Sequence, residues 1–208
     1  MTFSISIVII VITCLISYSA LQNYDQLNKL SMQPYMVKHY KQYYRFITSG
    51  FVHADFQHLL FNMLTLYFFG SFIEQVFTQL FQNKVVYVLY YILGIIVSDI
   101  PSFIKHRDNE RYSSLGASGA ISAIVFTAIM VNPWASIYLF FAIKIPAVIY
   151  GVLFLGISAY MSRKGGGNIN HDAHLWGALF GIVFPLLFHP ELGTSFIYQL
   201  LHRSQFVQ

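Results

Sequence analysis

Apolar residues run through this chain in long blocks, and polar positions mark where each block ends. The first block covers about Ser4 to Ala20, and a polar, basic connection follows it to Tyr44. A second block spans about His58 to Thr78 and a third Val85 to about Phe103, before the charged loop "KHRDNERYSS". From Ala117 to Met161 the chain is almost wholly apolar, with Lys144 its only charge. One helix of that length, at about 1.5 Å per residue, would overshoot a bilayer core of about 30 Å roughly twofold. "NPW" at Asn132–Trp134 and "KIP" at Lys144–Pro146 divide it, because proline removes a donor and restricts the residue before it. The pattern therefore predicts two spans here, Gly116 to Val131 and Ile145 to about Tyr160. The "ASIYLFFAI" between them is too short to cross and is expected at the interface or against protein. After a flexible "SRKGGGNIN", the last span covers about Asp172 to Phe188.

Backbone groups within lipid must be satisfied inside their own segment, so the six spans are helices of one all-α bundle. No repeat of about 20–50 residues is visible, and residues 1–208 read as a single membrane domain. Six spans also fix a parity. The connections before spans two, four and six share one side of the membrane, so His58 and Asn62, Ser118, and His174 all enter from that side.

Composition agrees: 56% of residues are apolar and only 10% are charged, against about a quarter charged in soluble domains. The net charge of +4 is carried by loop residues, which suits lipid headgroups rather than nucleic acid, whose readers cluster their cations on one face. Cys14 is the only cysteine and lies in an apolar segment, so no intramolecular disulfide forms and the thiol is expected to be inert. The first block lacks the basic n-region of a cleaved signal and reads as a retained span.

Candidate chemistry gathers on the shared side. A serine hydroxyl becomes nucleophilic when a neighbouring base accepts its proton, and histidine suits that role. Ser118 and His174 each open a helix, so facing helices would bring them together. Gly119, with Gly177 and Gly181 four apart in "HLWGALFG", supplies the small residues that let membrane helices approach closely. In "HLLFN", His58 and Asn62 share a helix face and both can donate to a developing oxyanion. The amides of Ala117 and Ser118, at the start of a helix, lack intrahelical partners and are further donors. An interhelical hydrogen bond is the alternative role for Asn62, typically about 1–2 kcal/mol. Asp172 points to another helix face than His174, and Asp55 and Asp99 have no evident route to it, so the simplest site is a dyad. The elbow G-x-S-x-G is not satisfied, since Ala120 stands at its last position and no strand precedes it. His53, His58, His171, His174 and Asp172 do not match H-E-x-x-H and bring no catalytic glutamate, so no metal and no cofactor is expected.

Three stretches, "YYRFITSGFVHADFQHLLFN" from Tyr43, "GASG" from Gly116 and "AHLWGALFG" from Ala173, resemble the rhomboid family of intramembrane serine proteases. The resemblance implies a six-transmembrane-helix rhomboid-like bundle of the bacterial type. Ser118 is implied as nucleophile, His174 as general base, and His58, Asn62 and the Ser118 backbone as the oxyanion hole. Arg45 and His53 match a membrane-embedded first loop and Glu74 an acidic residue late in the second span, all three structural; Arg45 alone reads equally as an interfacial anchor. The implied substrates are transmembrane segments of other proteins, cut near the outer face of a bacterial inner membrane. Two positions depart from the family pattern. Ser122 stands where an aromatic commonly packs on the catalytic histidine, and Tyr44 where tryptophan is frequent. Topology adds a tension, because Lys29, Lys38, Lys41, Arg45, Lys105, Arg107, Arg111, Arg163 and Lys164 lie on the site's side and only Lys84, Lys144 and Arg203 opposite. The positive-inside rule would place the first group in the cytoplasm. Two rival functions are a rhomboid-like protein that binds client helices without cutting, and a small transporter, whose usual inverted repeats are not evident.

Overall fold

The first apolar block forms helix α1 (Ile5–Leu21) in the computed structural model, which describes residues 4–139, 142–165 and 169–203. The leading amides of α1 have no intrahelical acceptor, and the Ser4 side chain does not cap them. Glu74 does so from far along the chain. Its carboxylate accepts from the amides of Ile5 (2.8 Å) and Ser6 (2.9 Å) and from Ser4 Oγ (2.7 Å). A negative charge at a helix N-terminus also complements the macrodipole.

The polar connection folds as three short helices, α2 (Tyr24–Leu30), α3 (Pro34–Tyr40) and α4 (Arg45–Thr48). Arg45 is buried at their centre. Its guanidinium donates to Gln42 Oε1 (2.7 Å) and to the carbonyls of Asn28 (2.8 Å) and Ser31 (2.6 Å). Carbonyls that face inward with no helical partner thereby find a donor.

A 26-residue helix follows over Phe56–Phe81. It comprises α5 (Phe56–Thr65), a π-type widening at Leu66–Gly70, and α6 (Ser71–Phe81). The widening places Gly70 where a Cβ would lie 2.9 Å from the Tyr87 hydroxyl, so the neighbouring helix can pack tightly there. Helix α7 (Val85–His106) and helix α8 (Ser118–Val131) come next. The fourth span thus begins two residues later than Gly116, because Gly116 has φ +114°, outside the helical region.

The short stretch before the fifth span contains a β-hairpin, β1 (Ser136–Leu139) paired antiparallel with β2 (Ile143–Pro146), Ser136 lying opposite Pro146. Ile145 and Pro146, expected to open the fifth span, belong to this hairpin. Helix α9 (Ala147–Lys164) starts directly after the extended Pro146, and α10 (His171–Phe188) follows. Positions 140–141 of "ASIYLFFAI" and 166–168 of the "SRKGGGNIN" loop lie outside the described residues. A further helix, α11 (Glu191–Leu201), lies beyond the last predicted span. Pro190 with Glu191 in the first turn is a start signal. Gln199 ties α11 to the end of α8, donating to the Val131 carbonyl (3.1 Å) while its own carbonyl accepts from Trp134 Nε1 (2.8 Å).

Among the described residues three helices are long and apolar enough to cross a membrane: Phe56–Phe81, Val85–His106 and His171–Phe188; Ile5–Leu21 and Ser118–Val131 are shorter apolar helices. Helix α8 sits between α7 and α10, where glycine makes backbone contact possible. A Cβ on Gly177 would lie 2.1 Å from the Gly119 carbonyl oxygen, and one on Gly181 would lie 2.2 Å from that of Ala123. Deeper in the bundle, Thr127 Oγ1 donates to the Gly181 carbonyl (2.7 Å) and receives the Tyr90 hydroxyl (2.6 Å), joining all three helices through one proton chain.

Candidate active site

Ser118 is the first residue of α8, and what precedes it is pinned to the folded first loop. Met32 and Ser114 exchange backbone hydrogen bonds (2.9 and 3.0 Å), and the Gly116 amide donates to the Ser49 carbonyl (2.9 Å). The Ala117 amide donates to His53 Nε2 (3.4 Å). His53 is fully buried, and its Nδ1 lies 2.9 Å from Ser17 Oγ, which itself donates to the Phe51 carbonyl (2.9 Å). The serine proton is therefore spent on Phe51, Nδ1 carries the imidazole proton, and Nε2 is left to accept. Burial, reinforced by the neighbouring His58, pushes the His53 pKa down to about 3, so the ring is neutral.

This network separates the two backbone amides proposed for the oxyanion hole. Ala117 N–H is committed to His53. Ser118 N–H, at the first helical position, has no intrahelical acceptor.

His58 and Asn62 both lie on α5, whose first turn Asp55 caps by accepting from the His58 amide (2.7 Å). His58 packs against Gly116, whose absent Cβ would come 2.6 Å from its Cε1, and its ring centroid lies 4.9 Å from that of His53. No side chain fits at position 116 without displacing it. One turn on, Asn62 is buried, and its Nδ2 is a donor without a partner among the described residues.

A cavity of about 140 Å³ is lined by Asn62, Ser118, Ser122, Tyr150, Phe154 and His174, among others. Helices α5, α8, α9 and α10 each contribute to its wall. No hydrogen bond joins Ser118 to His174. The close α8–α10 approach at Gly119 and Gly177 nonetheless puts both side chains on one small space. Gly119 is needed on its other side as well, since a Cβ there would fall 2.0 Å from Ser98 Oγ.

The carboxylates are engaged elsewhere. Asp172 accepts from Lys105 Nζ (3.1 Å) and from Ser162 Oγ, Asp99 accepts from Ser49 Oγ (3.1 Å), and Asp55 serves as the α5 cap. Among the described residues none of them bonds to His174, and no three His, Cys, Asp or Glu side chains are placed to hold a metal ion. Arg45, His53 and Glu74 lie outside the cavity wall and hold the first loop and α1 in place.

Residues 40–191 match the family model of the Rhomboid domain, a stretch that contains both Ser118 and His174. The chain belongs to the rhomboid family. It is 35% identical over 147 residues to the mitochondrial RHOMBOID-like protein 12 of Arabidopsis thaliana, covering 64% of this chain and 42% of that protein. Identity to the chloroplastic Rhomboid-like protein 11 of the same plant is 26% over 164 residues, covering 72% and 54% of the two chains. YdcA of Bacillus subtilis (strain 168) is 26% identical over 151 residues, covering 70% and 67%. This rhomboid therefore spans about half the length of the plant relatives it matches. Family membership and the apolar helices make it an integral membrane protein with the rhomboid-like all-α fold. The relatives' names divide between plant organelles and a bacterium, so they do not support a bacterial inner membrane in particular.

Two elements of the site leave no signal in the sequence. The Met32–Ser114 and Ser49–Gly116 contacts join backbones across loops and leave no residue-type signal. Phe154, whose ring faces His174, sits in a run of apolar residues where nothing distinguishes it.

Proposed function

We infer that this rhomboid is a serine endopeptidase acting on transmembrane segments through a dyad of Ser118 and His174. Ser118 Oγ attacks the scissile carbonyl while its proton passes to His174, which then gives that proton to the departing amine; water enters by the same base and releases the acyl group from Ser118. Negative charge on the tetrahedral oxygen falls to Asn62 Nδ2 and the Ser118 amide, with His58, which packs on Gly116 outside the cavity wall, as the further donor. The observation that carries this reading is the Asn62 side chain. A buried amide donor with no partner costs about 1–3 kcal/mol, which makes sense where an acceptor arrives during reaction. It lines the same cavity as the serine and the histidine.

Substrate backbone must unwind at the cut, because helical carbonyls are engaged and hidden. Helix α8, at about 21 Å for its 14 residues, is shorter than a hydrocarbon core of about 30 Å, which supports a nucleophile recessed below one membrane surface. The extracytoplasmic side is the proposed face.

The missing Ser118–His174 hydrogen bond favours a second reading, a rhomboid that binds client helices without cutting them. Both readings meet one experiment. The purified protein in detergent is incubated with a synthetic transmembrane substrate, beside Ser118→Ala, and each is treated with a fluorophosphonate probe. Wild type is expected to cleave and to label at Ser118, with cleavage down by at least about 10³-fold in the variant. Equal cleavage by the two proteins would remove the dyad, and a wild type that neither cleaves nor labels would favour client binding.

A further inference from the structure

The dyad reading leaves the His174 ring without an orienting partner. Neither ring nitrogen has a hydrogen bond among the described residues, and the nearby carboxylates are engaged elsewhere. Ser122, one turn after Ser118, brings a hydroxymethyl group where an aromatic would have packed on that ring. Packing alone must fix the imidazole.

An aromatic ring does lie on His174, but from a different helix. The Phe154 centroid on α9 is 5.5 Å from that of His174, with the two planes 30° apart. Phe154 is itself wedged in place. Phe126, buried on α8, lies 5.7 Å away, and Tyr150, one turn earlier on α9, lies 5.8 Å away. His171 meets the His174 ring edge-on at 5.6 Å and 81°. Aromatic contacts in this range are worth about 0.5–1.5 kcal/mol beyond the area they bury, enough to select one ring rotamer from a few.

We propose that Phe154 is the positioning residue that holds the His174 ring over the cavity toward Ser118, in place of the aromatic that Ser122 lacks. This rests on the dyad reading above. It also gives α9 a second role, because the helix buries only Ala147, Gly151 and Ser158. A shift of α9 that admitted a substrate helix would carry the support of His174 with it, so entry and alignment are coupled.

Steady-state cleavage of a transmembrane substrate in detergent tests this on Phe154→Ala, Phe154→Leu, Phe154→Tyr and the double variant Phe154→Ala/Ser122→Phe. Thermal midpoints and gel filtration follow the folded fraction. Phe154→Ala is expected to lose about 10- to 100-fold in kcat with KM near wild type, as a mispositioned catalytic group does. Its pH–rate profile should also be displaced, since the ring that keeps water off the imidazole is gone. Phe154→Tyr should stay near wild type, and Ser122→Phe should return about tenfold of the lost kcat by supplying a ring from α8. Wild-type kcat and an unmoved pH profile in Phe154→Ala would overturn the proposal. Should Phe154→Ala fail to fold, Phe154→Leu against Phe154→Tyr decides it, and equal kcat for those two overturns it. Loss of Ser118-dependent labelling and cleavage in wild type would instead remove the dyad reading itself, and this inference with it.

Discussion

Helices α8 and α9 come from the same long apolar run, on either side of its proline breaks and the β-hairpin, yet the fold uses them in opposite ways. Every residue of α8 from Gly119 to Met130 is buried, with α7 and α10 on either side. In α9 only Ala147, Gly151 and Ser158 are buried, while Val152, Ile157 and Tyr160 are more than 60% exposed to the surroundings. Small residues explain the difference. Gly119, Ala120, Ala123 and Thr127 let neighbouring backbones touch α8, whereas α9 presents Val152, Leu153, Ile157 and Tyr160 outward. Lipid tails are as apolar as those side chains, so burial between helices is won by close contact and not by hydrophobicity. The proposed nucleophile thus sits on the most tightly held helix, and the proposed support of its candidate base on one of the loosest.

The sharpest way to break this contrast is a methyl group at the α8–α10 contact. Gly177→Ala puts a Cβ about 2 Å from the Gly119 oxygen. We expect a loss of at least about 3 kcal/mol, seen as a lowered thermal midpoint, and a fall in cleavage of about 10²-fold or more. An unchanged midpoint would mean that the two helices are not in backbone contact.

His53→Ala comes next. It removes a buried ring, leaves the Ala117 amide without its acceptor and takes from Ser17 Oγ the His53 contact while its bond to the Phe51 carbonyl stays, for an expected cost of about 2–4 kcal/mol in urea or thermal unfolding. The same residue predicts a pH response. Because His53 is neutral in the fold down to about pH 3, an unfolded chain binds a proton below about pH 6.5 that the native state refuses. Stability contributed by this group is therefore present above about pH 6.5 and lost as pH falls below it, at up to about 1.4 kcal/mol per pH unit. The His53→Ala variant should show a shallower acid loss than wild type, and parallel curves would refute the neutral assignment.

Thr127→Val is expected to be milder, about 1–3 kcal/mol, because Tyr90 and the Gly181 carbonyl lose their shared partner while the volume is kept. The smallest effect belongs to α9. A Cβ on Gly156 would meet nothing within 4 Å, so Gly156→Ala should raise stability by about 0.5–1 kcal/mol through helix propensity alone. A clear destabilisation there would show that α9 is covered on that side.

Much of this could be read from residue types. The apolar blocks located the long helices to within a few residues, since block length and proline breaks act locally. Gly177 and Gly181, four apart, announced a close helix contact, and the structure supplies its partners, the carbonyls of Gly119 and Ala123. The β-hairpin at Ser136–Pro146 was not legible, because a short apolar run carries no period that separates strand from interface loop. Nor was the commitment of the Ala117 amide to His53, which depends on where two distant loops meet.

Sequence by itself determined that this chain lives in a membrane as a helical bundle and which side chains have chemistry to offer, because hydrophobic length, proline, glycine spacing and functional groups are properties of residues. Tertiary structure alone decided which donors remain free at Ser118, which carboxylates are already taken, and that the ring against His174 comes from α9. Those are outcomes of competition for a limited number of partners, and such a competition is resolved only when every helix has found its place.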